Sequence, residues 1–428
     1  MKDKQHINCD ILIIGAGFAG MAAAARASQL GLKTIMAGNS SQLYFASGLF
    51  DLLGVYPLVP GTILKTVETG LSLLKEQIPG HPYAKAGIEE ILQGFDFITH
   101  FLQTAGLSYA PSNGKNTSVL TSAGTFKPSF LVPETIKKCT LLKQSKNLLI
   151  MDFKGLKGFN AKQMAAMIKN RHDTVDTLRI ELFQHSYVLS PMHLAAMFEN
   201  LSFLEKIAKQ ILPVADKIDL MGIPAVCGID NSFEILSKLE KLTGVKMFEI
   251  PMMPPSIPGL RLKNAFEKQL AKNKVQFLSQ AKIKSREFNN DGFILNAVNQ
   301  SMEAKIKARG VILASGRFQG GGLHAQRDQI VETIFNLPVY QPEKRNLWHH
   351  INFFEKQGHM INSAGIETDN VFRPVDKNNS IIHKNLYAAG AILAHNDWTR
   401  LKSGSGVSAL SAYTAVNNFH TTNIKTGD

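Results

Sequence analysis

The sequence contains only three cysteines, and they are far apart. Cys9, Cys139 and Cys227 form no C-x-x-C pair, which excludes an iron–sulfur or zinc cradle built from this chain alone. We therefore expect no bound metal. An odd, scattered set of thiols is typical of a reducing compartment and favours a cytoplasmic protein.

Long apolar runs are also missing from the sequence. The stretch 1–8 is too polar for the hydrophobic region of a signal peptide, and no uninterrupted apolar segment is long enough to cross a bilayer. From the sequence we expect a soluble or peripheral protein.

Acidic residues are outnumbered by basic ones. The 428 residues include 47 Lys and Arg against 34 Asp and Glu, which gives a formal net charge of +13. Such a surface favours anionic partners, such as acidic proteins, anionic lipid headgroups or phosphorylated substrates. The basic residues are spread thinly and no recognition motif accompanies them, so we expect no nucleic-acid partner. The length suits two domains.

The most informative motif in the sequence is a glycine-rich turn near the N-terminus. The apolar residues 11–14 predict a buried strand, glycines follow at G-x-G-x-x-G spacing, and an alanine-rich helix begins at once. The first glycine permits the tight turn, the second lets the backbone approach a phosphate, and the third lets the helix pack on the strand. The N-terminus of the helix then faces an anion. The residues predicted to hold the cofactor here are Gly15, Ala16, Gly17, Phe18, Ala19 and Gly20.

The acid that usually follows this turn is absent. Dinucleotide sites place an Asp or Glu about 20 residues past the glycines, where it binds the adenosine ribose. Here no Asp or Glu occurs between Asp10 and Asp51, and the predicted second strand, 32–37, is followed by Gly38-Asn39-Ser40-Ser41. Either Asn39 makes a weaker, neutral hydrogen bond to a ribose, or the site holds a mononucleotide such as FMN. We assign Asn39 and Ser40 to the cofactor site.

Four later segments are predicted to complete the cofactor pocket. The loop 40–51 mixes small, hydroxyl-bearing and aromatic residues, which suits a chain that runs along a flat ring. A predicted β-meander ends in the apolar strand 308–316, and the strand 380–391 also ends in glycine. A small-residue helix opens at 403, and its N-terminal N–H groups are predicted to face the pyrimidine edge of a flavin. The residues assigned to the cofactor in these segments are Ser47, Gly48, Gly316, Gly390, Gly404, Ser405 and Gly406.

The middle of the chain is predicted to form a separate unit. Short strands (147–152, 218–224 and 245–250) alternate with helical stretches, and no second nucleotide fingerprint occurs among them. The proline-rich run 252–259 is predicted to be a hinge. We therefore predict an α/β protein with a Rossmann-like, two-dinucleotide-binding flavoprotein fold. Its flavin domain is discontinuous, at 1–90 and 254–428, with an inserted α/β cap at 91–253.

On these residues the chain resembles the B subunits of anaerobic glycerol-3-phosphate dehydrogenases, which are relatives of the fumarate-reductase-like flavoproteins. The resemblance covers almost the whole length. The first and last of its motifs are shared by many flavoproteins, and the blocks at 254–262 and 311–323 are more specific. The motifs are Gly15-x-Gly17-x-x-Gly20, 45–53, His81-Pro-Tyr83, 254–262, 311–323 and Leu386-Tyr-Ala-Ala-Gly390.

The resemblance implies a cofactor, a reaction and partners. The cofactor is FMN, with FAD as the alternative, and the reaction is oxidation of sn-glycerol 3-phosphate to dihydroxyacetone phosphate. The partners are the flavin-bearing A subunit of such a complex and its iron–sulfur C subunit, which ties the complex to the inner face of the cytoplasmic membrane and passes electrons to quinone. A phosphate substrate needs cations, preferably Arg. The predicted catalytic residues are Arg261, Arg317 and Arg400 as those cations and His324 as the base.

Two other functions stay open at this level. The chain is alternatively a flavin relay or assembly protein of that complex whose flavin never meets the substrate, or a stand-alone reductase or dehydrogenase of another small hydroxy acid.

Overall fold

The computed structural model describes residues 3–172, 174–183, 188–289 and 292–424. The chain divides into two compact units, each formed from separate stretches of sequence. The first comprises Met1–Gln42, Asp51–Phe101 and Phe266–Asp428, and the second comprises Leu43–Phe50 and Leu102–Ala265. Among the described residues, no helix combines the length and the apolarity that a bilayer span requires.

These bounds differ from the predicted domain limits. The prediction gave 91–101 to the cap and 254–265 to the flavin domain, whereas the structure assigns each stretch to the other unit. The reason is that the chain passes between the units within two continuous helices, Ile88–Gln103 and Ile257–Lys272, and not at the proline-rich run. The prediction also missed the short excursion of Leu43–Phe50 into the second unit.

The strands that the structure describes are short except for the first and the fourteenth. In chain order they are β1 (Asp3–Ile14), β2 (Thr34–Gly38), β3 (Tyr109–Ala110), β4 (Thr117–Leu120), β5 (Phe126–Ser129), β6 (Val132–Pro133), β7 (Asn147–Phe153), β8 (Thr174–Ile180), β9 (Leu220–Pro224), β10 (Met247–Ile250), β11 (Gln276–Ser279), β12 (Lys282–Asn289), β13 (Gly292–Val298), β14 (Met302–Leu313), β15 (Leu323–Ala325), β16 (Ile330–Glu332) and β17 (Leu386–Ala388).

The α-helices lie between these strands, with short 3₁₀ turns at several junctions. In chain order they are α1 (Phe18–Gln29), α2 (Glu68–Gln77), α3 (Ile88–Gln103), α4 (Ala161–Ile168), α5 (Pro191–Phe198), α6 (Leu201–Ile211), α7 (Ser232–Thr243), α8 (Ile257–Lys272), α9 (Trp398–Leu401) and α10 (Gly404–Ile424).

The main sheet of the first unit brings the glycine turn together with later segments. Its strands lie in the order β11-β2-β1-β14-β13-β12, and β17 also pairs with β14. The strands β1, β2, β11, β14 and β17 are parallel where they pair, so their carboxyl ends meet at one edge of the sheet. Ile14 pairs with Leu313, and Leu313 pairs with Ala388. The turns after β1, β14 and β17 therefore start side by side.

The centre of this sheet is apolar because helices cover it. The residues Ile11, Leu12 and Ile13 have no exposed surface, as is typical of parallel strands that are covered on both faces. The alanine-rich α1 packs against α10, and the small side chains of both helices permit this close approach.

The second unit contains a separate parallel sheet in the order β10-β9-β7-β8. Its buried core includes Ile150, Met221 and Phe248, and the helices α4 to α7 supply further apolar side chains. The predicted strands at 147–152, 218–224 and 245–250 correspond to β7, β9 and β10. The unit is a self-contained α/β layer with its own core.

Candidate functional site

Two glycines of the turn between β1 and α1 leave no room for a side chain. Gly15 has φ +113°, and a Cβ there would lie 2.1 Å from the carbonyl oxygen of Ala314. A Cβ at Gly20 would lie 1.9 Å from the carbonyl oxygen of Gly15. These two glycines hold α1 and the start of the turn against the end of β14.

Gly17 differs from its neighbours because nothing crowds it. A Cβ built there has no atom within 4 Å, so the fold itself does not require glycine. Gly17 is the N-cap of α1, no side chain caps the helix, and its first turn carries no acid. The positive end of the helix is therefore left for an anion, which fits a flavin phosphate.

The C-terminal strand contributes a second wall to this site. Gly390, with φ +78°, follows β17, and a Cβ there would lie 2.5 Å from the Cβ of Ala19. Its N–H donates to Ser411 Oγ at 2.9 Å, which ties the turn to α10. The structure thus brings Gly316 and Gly390 to the same edge of the sheet as the fingerprint glycines.

The opening of α10 is occupied by the chain itself. The N–H of Asp51 donates to Ser405 Oγ at 2.5 Å, and the N–H of Gly406 donates to the carbonyl of Asp51 at 2.9 Å. This corrects the prediction for Ser405 and Gly406, because these groups hold the backbone at Asp51 and are not left for a flavin ring. The assignment of Gly404 stays a prediction.

At the end of β2, the side chains of Asn39 and Ser40 both form hydrogen bonds within the chain. Asn39 Oδ1 accepts a local hydrogen bond from the N–H of Ser41 at 2.9 Å. The buried Ser40 donates from Oγ to Oε1 of Glu267 at 2.6 Å. The preceding residue of α8, Phe266, packs edge-on against Phe18, the first residue of α1, with ring centroids 6.0 Å apart. Glu267 is a nearby acid that sequence reasoning missed, because it lies 227 positions beyond Ser40.

Ser47, Gly48 and Arg261 belong to the second unit. The Gly48 carbonyl accepts from the Tyr109 hydroxyl at 2.8 Å, and Ser47 Oγ accepts from the N–H of Leu49 at 3.4 Å. Nothing in these contacts tests the cofactor role predicted for Ser47 and Gly48.

Arg261 forms a buried ion pair in this unit. Its Nη1 and Nη2 donate to the two carboxylate oxygens of Glu249 at 2.6 and 2.9 Å, and its Nε donates to the Gly228 carbonyl. Burial alone would lower the pKa of Arg261, but the charge and hydrogen bonds of Glu249 outweigh it and raise that pKa. This corrects the predicted phosphate-binding role, since the guanidinium is buried and already neutralised.

Arg317 is partly buried and has no such ion-pair partner among the described residues. It follows Gly316, and its guanidinium donates to the main-chain carbonyls of Asn362, Leu393 and Asn396, the last two at 2.9 Å. Its Nε is buried and has no hydrogen-bond partner within the described residues. Burial lowers the pKa of Arg317 to about 10, although the charge of Asp397 opposes this.

The charge of Arg317 is held by neutral carbonyls, so the site still lacks a hydrogen-bonded anion. The neighbouring Ser315 Oγ is also buried and unpartnered in the described part of the chain. Buried polar groups without partners are rare in folded proteins and are expected where a ligand binds. Together with the open N-terminus of α1 at this sheet edge, these groups fit a bound flavin.

The two remaining predicted catalytic residues lie elsewhere in the first unit. His324 is exposed on β15, a short strand that pairs with β16, and its role as base stays a prediction. Arg400 donates from Nη2 to the Lys356 carbonyl, while its Nη1 is buried and has no partner in the described residues. Its role as a cation also stays a prediction.

A buried neutral histidine supports the segment that Arg317 binds. His81 Nδ1 accepts from the N–H of Tyr83 at 3.1 Å, so the proton is on Nε2, which donates to Asn396 Oδ1 at 3.2 Å. Ser403 Oγ donates to the same oxygen at 2.9 Å. Burial lowers the pKa of His81 to about 3, and this imidazole is therefore neutral at physiological pH. The His81-Pro-Tyr83 motif thus has a structural use that its sequence did not reveal.

Side chains that could ligate a metal are scattered. Across the described ranges, no cluster of His, Cys, Asp and Glu side chains is arranged to hold a metal ion.

The comparisons with known proteins agree with this geometry. Two curated relatives carry the name of the B subunit of anaerobic glycerol-3-phosphate dehydrogenase. The one from Vibrio vulnificus (strain YJ016) is 27% identical over 423 residues, with 96% of each chain covered. The one from Aliivibrio fischeri (strain MJ11) is 28% identical over 435 residues, covering 96% of this chain and 95% of the relative. The resemblance inferred from the motifs is confirmed.

Solved structures show more distant likeness. The 3-ketosteroid delta1-dehydrogenase from Sterolibacterium denitrificans is 11% identical, with 97% of this chain and all of that chain covered at a TM-score of 0.44. The flavoprotein of Escherichia coli quinol fumarate reductase is 9% identical, with 98% and 71% covered at a TM-score of 0.40.

A protein-family profile matches most of the chain. The profile is described as "FAD binding domain" and matches residues 10–407. It confirms the predicted α/β flavoprotein fold and the predicted flavin cofactor, and it supports an enzymatic, oxidoreductase role. The chain therefore belongs to the FAD binding domain family.

Proposed function

We propose that this chain oxidises sn-glycerol 3-phosphate to dihydroxyacetone phosphate as the B subunit of an anaerobic, quinone-linked dehydrogenase complex. The names of the curated relatives support this reaction. The observation that carries the proposal is Arg317, a partly buried cation whose hydrogen bonds go to main-chain carbonyls, at the sheet edge where the fingerprint turn begins. A phosphorylated substrate supplies the anion that such a cation lacks.

The residues of the chain divide this work between cofactor and substrate. The N–H groups at the start of α1 hold the flavin phosphate, and the bound flavin supplies the hydride acceptor. Arg317 and Arg400 attract the substrate phosphate, and His324 accepts the proton of the substrate hydroxyl. The positive charge of Arg317 also favours negative charge as it develops at this edge.

The cofactor and partners follow from the same proposal. FMN fits a β2 end that carries no acid of its own, and FAD is the alternative. The flavin-bearing A subunit, together with the iron–sulfur C subunit, completes the complex and places it on the inner face of the cytoplasmic membrane. The positive net charge of +13 suits contact with an acidic protein or anionic lipid.

The experiment is anaerobic reduction of the flavin in the purified chain by glycerol 3-phosphate. We expect the flavin absorbance to bleach within a single turnover, and a Gly17→Asp variant to fold but carry no flavin, because its carboxylate occupies the anion site of α1. Glycerol without the phosphate is the matched control and should reduce the flavin far more slowly.

A second candidate is a flavin relay that passes electrons without meeting the substrate. It is favoured by the contacts of Arg317, because no titratable base hydrogen-bonds to that guanidinium among the described residues. If glycerol 3-phosphate leaves the isolated chain fully oxidised, and the reduced flavin-bearing partner then bleaches it, the relay replaces the enzyme.

A further inference from the structure

A cavity of about 170 Å³ lies in the first unit. Its walls come from residues 80–85 and from the segments 366–379 and 393–395. Leu393, which lines it, also gives its carbonyl to Arg317. The cavity is therefore lined by the segment that Arg317 binds, yet it is formed by different side chains from those of the proposed substrate site.

A lysine supplies the positive charge of this cavity. Lys85 Nζ donates to the main-chain carbonyl of Thr368 and forms no ion pair within the described residues. Asp369, which follows Thr368, already forms an ion pair with Arg373, with 2.7 Å between Asp369 Oδ2 and Arg373 Nη2. Burial lowers the pKa of Lys85, and the charges of Asp369 and Glu367 counter this. The ammonium group keeps further N–H donors for a ligand, because one carbonyl uses only one of its three.

An oriented histidine stands on another wall of the cavity. His395 Nε2 lies 2.8 Å from Glu367 Oε1, and the imidazole packs on Tyr340 with ring centroids 4.0 Å apart. Its side chain is only 18% exposed. Gly80 keeps the space for it, since a Cβ there would lie 2.7 Å from His395 Cδ2. These contacts fix the orientation of the ring. Because Glu367 contacts Nε2 of His395, the Nδ1 atom of the same ring is left to face a ligand.

The sharpest sign of a ligand is a hydroxyl without a partner. Thr368 lines the cavity, is 7% exposed, and its Oγ1 has no hydrogen-bond partner among the described residues. Leaving a hydroxyl buried and unpaired is costly, so a group that bonds to it is expected. If this position served only packing, valine would fill the same space without leaving a hydroxyl unpaired.

We propose that this cavity binds a phosphate group, either as the free ion or as the ester of a small molecule. A phosphate oxygen accepts from Lys85 and another accepts from the Thr368 hydroxyl. The imidazole of His395, held by Glu367, forms a further polar wall of the site. This site goes beyond the proposed function, because Arg317, the main residue of the proposed substrate site, does not line the cavity.

The test is a calorimetric titration of the flavin-loaded chain, which measures its affinity for inorganic phosphate and for glycerol 3-phosphate. We expect Lys85→Met to weaken binding by about tenfold or more and Thr368→Val by about threefold, as loss of a charged and a neutral hydrogen bond predicts. The control, Lys282→Met, removes an exposed lysine of β12 and should bind like the wild type. Stronger binding of the ester identifies an ester site, and equal binding identifies a phosphate site.

Thr368→Val keeps the test decisive if Lys85→Met folds poorly. A purely structural threonine gains or keeps stability when its unpaired hydroxyl is replaced by a methyl group, and ligand binding is then unchanged. Unchanged binding by Thr368→Val, or equal binding by the Lys85 and Lys282 variants, overturns the proposal. The proposal is also overturned if Arg317→Met loses all phosphate binding while Lys85→Met binds phosphate as the wild type does. Flavin bleaching in the wild type is scored separately, so the proposed function stands or falls on its own.

Discussion

Two arginines, one in each unit, have different kinds of partner. Arg261 is 4% exposed and faces the fully buried carboxylate of Glu249, while Arg317 faces only carbonyl oxygens. The pKa of Arg261 is raised by its partner, and that of Arg317 falls to about 10 through burial. The same residue type is therefore a completed internal pair in the second unit and a charge without an ion-pair partner in the first.

The difference separates structural cations from binding cations. A buried charge that is fully paired has no reason to attract a ligand, because its field is cancelled at close range. A buried charge held by dipoles alone is costly to keep, and its cost is offset when an anion binds. Both arginines stand near glycines in the sequence, so only their partners distinguish them.

Replacing Arg261 breaks the completed pair and has the largest expected effect. Arg261→Met leaves Glu249 charged in a site with no exposed surface, which should cost about 3–5 kcal/mol of unfolding free energy. Urea denaturation measures it. The double variant Arg261→Met/Glu249→Met should recover most of the loss, because neither charge then remains. A variant with unchanged stability but a raised KM would return Arg261 to the substrate site.

Replacing Arg317 tests the other half of the comparison. Arg317→Met removes a charge that has no ion-pair partner, so the stability of this variant should fall far less than that of Arg261→Met. Reduction of the flavin by glycerol 3-phosphate should slow by about 100-fold, the usual loss when one preorganised donor is removed. Stopped-flow absorbance measures the rate, and redox titration should show a more negative flavin potential.

The control for that prediction is Arg317→Lys, which keeps the charge and loses the planar fork. It should fall between the wild type and the Met variant. Equal rates and potentials in all three would make Arg317 a structural residue like Arg261.

The sequence predicts the parts of this site that depend on local chemistry. The fingerprint is local, because a strand, three spaced glycines and a small-residue helix specify one turn, and Gly15 and Gly20 are needed there for steric reasons. Gly316 and Gly390 were predicted to lie near the fingerprint because each follows an apolar strand. Parallel pairing then brings those strands to the same sheet edge.

The partners of each side chain were beyond prediction because they are distant in sequence. Ser40 and Glu267 are 227 positions apart, and Ser405 bonds to a backbone group 354 positions away. No local pattern distinguishes Arg261 from Arg317, and the helix opening at 404 looked free because nothing nearby in sequence caps it. The strand β8 was missed for another reason, since its side chains are largely exposed and show no apolar run.

The first unit should also respond to acid through His81, the neutral histidine that holds Asn396 beside Arg317. Its pKa of about 3 in the folded chain is below its ordinary value of 6.5, so the unfolded chain binds the proton first as pH falls. The stability is therefore complete above pH 6.5 and is lost on acidification towards pH 3, by about 1.4 kcal/mol per pH unit.

Thermal unfolding between pH 7 and pH 4 measures this slope. His81→Asn keeps a polar side chain without a titrating ring, so its melting temperature should depend less on pH than that of the wild type. Identical slopes in the two proteins would show that other groups cause the acid sensitivity.

The smallest expected effect concerns the hydrogen bond between Ser40 and Glu267, at the end of β2 where we predict the nucleotide part of the flavin to bind. Ser40 is buried and occupies one carboxylate oxygen of Glu267, next to the start of α1. Ser40→Ala removes that partner, so an adenosine ribose gains an acceptor and FAD should gain about threefold in affinity relative to FMN. Fluorescence titration of the deflavinated protein measures both affinities. Ser40→Ala/Glu267→Gln is the control and should lose the gain, since a neutral amide accepts the ribose diol more weakly. If Ser40→Ala lowers the affinities for FAD and FMN equally, the hydrogen bond only holds α8 in place and does not select the cofactor.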